Sequence, residues 1–289
     1  MFSDPKELYM NSELKVLQLK ARHQVYTLLS GQNLSKLHGE GYDFAELREY
    51  QTGDDIRKIN WTITAKLGKP YIKELHANRE LSVVVAAFMD GSLYFGSKST
   101  NMANSKQQTL TEVATLLGYA AQQNGDLFTG ITYTQNQTEV IPPTKQIYHI
   151  EQFSRKLFEH SVLGTKVDIA ASLQDLFKRL YKPSLLFIIG DFLDTADLSL
   201  LAQKHEIIAI IIRDREEESP EKLGEVILSN PQNNAKLDTY FGKRSVEKYL
   251  ARLKANDEKL VEHFSQYDIR YIKIFTDDEV VGKLVSLFV

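Results

Sequence analysis

From Leu81 onward the chain alternates short, almost uninterrupted apolar runs with stretches of helical spacing, and this alternation constrains the fold more than any other feature. Residues 81–89, Leu-Ser-Val-Val-Val-Ala-Ala-Phe-Met, are too few to cross a bilayer and lack the polar alternation of a half-exposed strand. They fit a strand covered on both faces. Helical spacing follows over 106–123 (Leu110, Val113, Leu116, Leu117, Tyr119, Ala120), then a strand at 127–133 with a hairpin partner at 139–141. Helices near 147–159 and 167–180, buried strands at 185–189 and 207–212, a long helix near 243–264, a strand at 269–275 and a helix near 278–287 complete the series. Strands alternating with helices predict an α/β fold, a mostly parallel sheet with helices on both faces.

Upstream the pattern differs. Leu14, Leu17, Val25, Leu28 and Leu29 share one face of an amphipathic helix over 12–29, which Ser30-Gly31 ends. Glycines at 39, 41, 53 and 68 then break residues 39–80 into short pieces, with 70–75 the best strand candidate. The expected organisation is therefore an N-terminal helix and small β-containing module over 1–80, followed by one large domain over 81–289.

Of the 289 residues 43% are apolar, enough for a substantial core. The formal net charge of −3, from 35 basic and 38 acidic residues, argues against a nucleic-acid partner. Zero cysteines exclude disulfides, thiolate metal sites and cysteine nucleophiles, and seven scattered histidines lack zinc-ligand spacing. No apolar run approaches the roughly 20 residues of a spanning helix, and the first residues lack a signal-peptide core, so a cytoplasmic protein without direct membrane insertion is expected.

In a doubly wound sheet ligands bind where the loops leave the carboxyl ends of the strands. The residues there are Asp90-Gly91-Ser92, Gly190-Asp191-Phe192-Leu193-Asp194 and Arg213-Asp214-Arg215-Glu216. Acidic and hydroxyl side chains recur, the oxygen chemistry that a hard divalent cation binds. The same residue types also cap helices and turns, and both readings stay open. The run Arg213–Glu218 reads as a solvated loop, Trp61 as a packing anchor, and Tyr42, Phe44 and Tyr50 as the contacts that seat the small module on the sheet. In Gly53-Asp54-Asp55-Ile56-Arg57, ion pairing or turn capping competes with acid–base work.

Several elements occur in one order: Asp43-Phe44, Leu47-Arg48-Glu49-Tyr50, Gly53-Asp54-Asp55-Ile56-Arg57, Asn60-Trp61, then 81–96, LSVVVAAFMDGSLYFG. Together they resemble the bacterial family called domain of unknown function 58, whose members carry a von Willebrand factor A-like domain. The resemblance implies an adhesion-type site that holds Mg2+ or Mn2+, with metal ligands at Asp90, Ser92, Thr165 and Asp191. Tyr94 stands where that pattern has a second serine. A phenol cannot occupy the same position, so the site has lost a ligand, uses water instead, or no longer binds metal.

The function expected is non-enzymatic: an interaction adaptor that binds a protein at the strand ends. The resemblance further implies a MoxR-type AAA+ ATPase as partner, in assembly or activation of other complexes. The rival reading is a Mg2+-dependent hydrolase using Asp90, Asp191 and Asp194. It is disfavoured because no histidine adjoins any of these loops in sequence.

Overall fold

A computed structural model of the chain describes residues 5–30, 46–51, 54, 56, 59, 61–74, 81–96 and 105–287. Tyr42, Phe44 and most of the Gly53–Arg57 cluster lie outside the described residues. In chain order the first elements are α1 (Pro5–Ser30), β1 (Glu46–Glu49), α2 (Trp61–Leu67) and β2 (Tyr71–Glu74). The alternating part follows as β3 (Ser82–Phe88), α3 (Lys106–Gln123), β4 (Leu127–Tyr133), β5 (Thr138–Thr144), α4 (Ile147–Glu159), α5 (Ile169–Arg179) and β6 (Leu185–Gly190). Then come α6 (Ser199–Ala202), β7 (Glu206–Arg213), α7 (Arg215–Glu218), β8 (Gly224–Ser229), β9 (Lys236–Phe241), α8 (Lys243–Gln266), β10 (Arg270–Phe275) and α9 (Val280–Ser286).

Six strands form one sheet in the order β10-β7-β6-β3-β4-β5, parallel throughout except for the antiparallel edge strand β5. The long apolar runs are explained by where the strands sit. In β3, Val83, Val85 and Ala87 join the core on one face, with Leu110, Val113 and Leu117 of α3. Val84, Ala86 and Phe88 join the core on the other, with Leu173, Leu176 and Phe264. A strand between two helical layers has no face to leave polar, which is why Val83 to Met89 reads as continuous.

Helix α3 is buried almost all round, because α1 packs over it from outside. Leu14, Leu17 and Ala21 lie at helical spacing on the inner face of α1 and are all buried. Lys20 pairs with Glu112 of α3 at 2.7 Å, and the Gln18 amide donates to the Glu151 carbonyl of α4 at 3.3 Å. The N-terminal helix thus shares the core of the large sheet. The small module comprises the antiparallel pair β1–β2 and α2. Trp61 at the start of α2 is exposed, which corrects its reading as a packing anchor: most of the indole faces solvent.

Two further differences matter for the site. Arg213, Asp214 and Glu217 are buried, so the run Arg213–Glu218 is not a solvated loop. Backbone groups and other elements answer these side chains: Asp214 and Glu217 form a capping box on α7, and the Arg213 guanidinium donates to Asp257 of α8 at 2.9 Å. The second difference is the antiparallel ribbon β8–β9, between α7 and α8, where the sequence suggested no element.

Among the described residues no helix is long and apolar enough to cross a membrane.

Candidate functional site at the strand ends

The chain leaves β3 towards β4 on one side and returns through β6 on the other, so the carboxyl ends of β3 and β6 flank the point where strand order reverses. A crevice opens at such a point because neighbouring loops run to opposite faces. Asp90 follows β3 and Asp191 follows β6. Both line a cavity of about 30 Å3 together with Phe88, Gly190, Phe192 and Gln232. That volume holds a water molecule or two and no larger ligand.

Asp90 is the hub of one half of the site. Its Oδ1 accepts from the Ser92 backbone N–H at 3.0 Å, the Ser92 hydroxyl at 3.0 Å and the Gln232 side-chain amide at 2.8 Å. Its Oδ2 accepts from the Val167 N–H at 3.0 Å. The first of these bonds caps a single 3-10 turn, Gly91–Tyr94. Tyr94 at the end of that turn is 49% exposed. Thr165 reaches the site through its backbone: its carbonyl accepts from the Gly91 N–H at 2.9 Å, while its hydroxyl donates to the Val162 carbonyl at 2.6 Å.

Gly91 is required by close approach. A Cβ there would come within 2.3 Å of the Pro231 carbonyl oxygen and 2.7 Å of the Thr165 carbonyl oxygen, both backbone atoms that cannot swing aside. The tip of the β8–β9 ribbon is thus seated directly on the turn after β3. The Gly164 N–H donates to the Pro231 carbonyl at 2.7 Å and fixes the tip to the 162–167 loop as well.

Asp191 is the hub of the other half. Burial works to raise its carboxyl, but the Lys106 ammonium and the Leu193 N–H outweigh that and hold it below the usual carboxylate range. Lys106, the first residue of α3, is fully buried. Its Nζ lies 3.3 Å from Asp191 Oδ2 and 2.6 Å from Glu217 Oε1. The other oxygen of Glu217 accepts the Asp214 N–H at 3.0 Å. Phe192, next to Asp191, takes a left-handed backbone with φ 51°, unusual for an aromatic residue, and Asn256 of α8 holds its carbonyl at 3.0 Å.

The structure therefore brings Asp90, Ser92 and Asp191 to one place, with Thr165 contributing backbone. Asp194 lies at the rim, its side chain half exposed and 3.4 Å from Lys166. Lys106, Glu217 and Gln232 belong to the site and were missed in the sequence. One signal for Lys106 was present: a cation in the first turn of a helix opposes the macrodipole and calls for nearby carboxylates. Glu217 and Gln232 gave none, being 111 and 142 residues from the groups they bind.

The residues do not fit a resident divalent ion as they stand. Mg2+ requires oxygen lone pairs directed at it at roughly 2.0–2.1 Å. Both oxygens of Asp90 and both of Asp191 already accept hydrogen bonds, and the Ser92 and Thr165 hydroxyls are turned towards other acceptors. Lys106 already supplies positive charge to Asp191.

A six-stranded sheet in this order, with an antiparallel edge and acidic loops at the reversal point, is a doubly wound α/β domain, the architecture expected of a von Willebrand factor A-like fold. Residues 46–259 match the family described as "Protein of unknown function DUF58", and the chain belongs to that family. It is 25% identical over 237 residues to Uncharacterized protein Mb1516 of Mycobacterium bovis and to Uncharacterized protein Rv1480 of Mycobacterium tuberculosis, across 80% of this chain and 72% of each relative. Among solved structures it is similar to the conserved hypothetical protein BatB from Bacteroides thetaiotaomicron (TM-score 0.43, 9% identity, 72% of this chain and 96% of that one). It is also similar to the SpRpn10 VWA domain (TM-score 0.36, 10% identity, 71% and 94%).

Proposed function

We propose that this chain is a non-enzymatic interaction adaptor that docks a protein partner at the carboxyl ends of its strands. One observation carries the reading. Beside the Asp90–Asp191 pair lies a cavity of about 530 Å3, walled by the 3-10 turn, the β8–β9 ribbon, α7 and α8. Phe95, Leu193, Leu228, Phe241 and Tyr249 line it, with Glu216 and Glu221 among the polar groups. An apolar floor with a few charged groups is what a partner's anchoring side chain requires.

Hydrolysis is disfavoured by the same geometry. Asp90 is engaged by four donor contacts and Asp191 is paired with a lysine, so neither carboxylate is poised as base or nucleophile. The third aspartate of that scheme, Asp194, lines the same small cavity but is paired with Lys166 at 3.4 Å. The family resemblance supports a MoxR-type AAA+ ATPase as the partner.

The test is an interferometry titration of the MoxR-type ATPase of the same organism, with nucleotide present, against three forms of the whole chain. Leu228→Glu puts a charge into the cavity, whereas Ile227→Glu alters the neighbouring position of the same strand, which is exposed. Leu228→Glu is expected to weaken binding about ten-fold or more while Ile227→Glu leaves it unchanged. Equal binding by all three forms, or no complex with the wild type, contradicts the proposal.

A further inference from the structure

Full burial of a lysine is rare unless its charge is paired, because the ammonium loses its hydration shell. Lys106 is fully buried, and it also occupies the N-terminal position of α3, where the helix macrodipole disfavours a cation. Two costs therefore fall on one side chain. What offsets them is the pair of carboxylates at 2.6 and 3.3 Å, Glu217 from α7 and Asp191 from the end of β6. Their side chains are themselves only 9% and 11% exposed. The Lys106 backbone N–H donates to the Phe95 carbonyl at 3.0 Å and anchors the start of α3 against the turn after Asp90.

We propose that the Lys106 ammonium is a built-in cation that takes the place of a divalent metal at the strand-end carboxylates, so that the site is complete without an ion. A divalent cation at Asp191 would meet the ammonium at contact distance and be repelled by it. At Asp90 it would have to displace the Ser92, Val167 and Gln232 donors. A tethered ammonium can do the structural work of a metal, which is to draw carboxylates from different loops together. It leaves no open coordination position for a partner's carboxylate. Lys106 thus joins the start of α3, the end of β6 and α7 into one clasp.

Calorimetric titration with Mn2+ and melting curves with and without Mn2+ test it on the whole chain. Wild type is expected to bind no Mn2+ and to melt at the same temperature in chelator. Lys106→Met leaves Asp191 and Glu217 buried without the ammonium that contacts them. It is expected to melt lower, to regain stability in Mn2+, and to bind Mn2+ at least about ten-fold more tightly than wild type. Lys106→Met/Glu217→Gln leaves one buried carboxylate where the single variant leaves two, and serves if the single variant does not fold; it too should bind Mn2+ where wild type does not. Mn2+ binding by wild type that Asp90→Ala abolishes overturns the proposal. So does a folded lysine variant, single or double, that gains no Mn2+ affinity.

Discussion

At the scale of single residues, the site is a set of buried polar groups, each useful because another answers it. Asp90, Ser92 and Asp191 were legible in the sequence, because an acidic or hydroxyl residue directly after an apolar run must emerge at a strand end. What Asp90 does there was not legible, since its donors at Val167 and Gln232 are 77 and 142 residues away. The Thr165 hydroxyl shows the same limit: a residue type marks a loop but does not say which way the hydroxyl turns. A second residue-scale consequence lies away from the site. His205 is buried, its Nδ1 is 2.8 Å from the Ser184 hydroxyl, and burial, with the nearby Lys204 charge, holds its imidazole below its ordinary value. A base depressed on folding binds its proton more readily in the unfolded chain. Its contribution is thus complete above the unfolded value near pH 6.5 and is lost as pH falls from there through the folded value. Urea midpoints should drop between pH 7.5 and 5.5, and His205→Gln should flatten that slope. An unchanged slope contradicts this account of His205.

At the scale of elements, the strands and helices of the sheet followed the sequence closely because each had a burial pattern of its own. Helix α3 is the clearest case: Leu110, Val113, Leu117 and Ala121 must all be covered, and 106–123 is where that requirement begins and ends. The β8–β9 ribbon escaped notice for the opposite reason. No position in either strand is fully buried, and the first three residues of β9 are all exposed, so their hydrophobic pattern is weak. The ribbon nevertheless supplies the roof of the site through Pro231 and Gln232. Gln232→Ala removes one donor from the Asp90 carboxylate and should cost about 1–2 kcal/mol. Gln232→Glu should cost more, since it sets a second carboxylate against the first. Denaturant melts of the two variants measure this, and wild-type stability in both contradicts the role given to the ribbon tip.

At the scale of the whole molecule, the order of the six strands places everything else. Because the chain passes from β3 to β4 and later returns to β6, two acidic loops remote in sequence face each other across one crevice. That much follows from alternating strands and helices. The closure of the crevice by a lysine from α3 and a ribbon tip does not, because it depends on packing between segments with no local signature. The resulting surface is an apolar cavity with acidic groups beside a site whose carboxylates already have partners, and the proposed function places a docked protein there. Amide hydrogen exchange of the whole chain, with and without saturating MoxR-type ATPase and nucleotide, tests this most directly. Slowed exchange should concentrate in residues 91–96, 190–194 and 216–232, around the strand ends and the ribbon. Protection centred instead on α1 and α4, or none at saturation, contradicts a docking face at the strand ends.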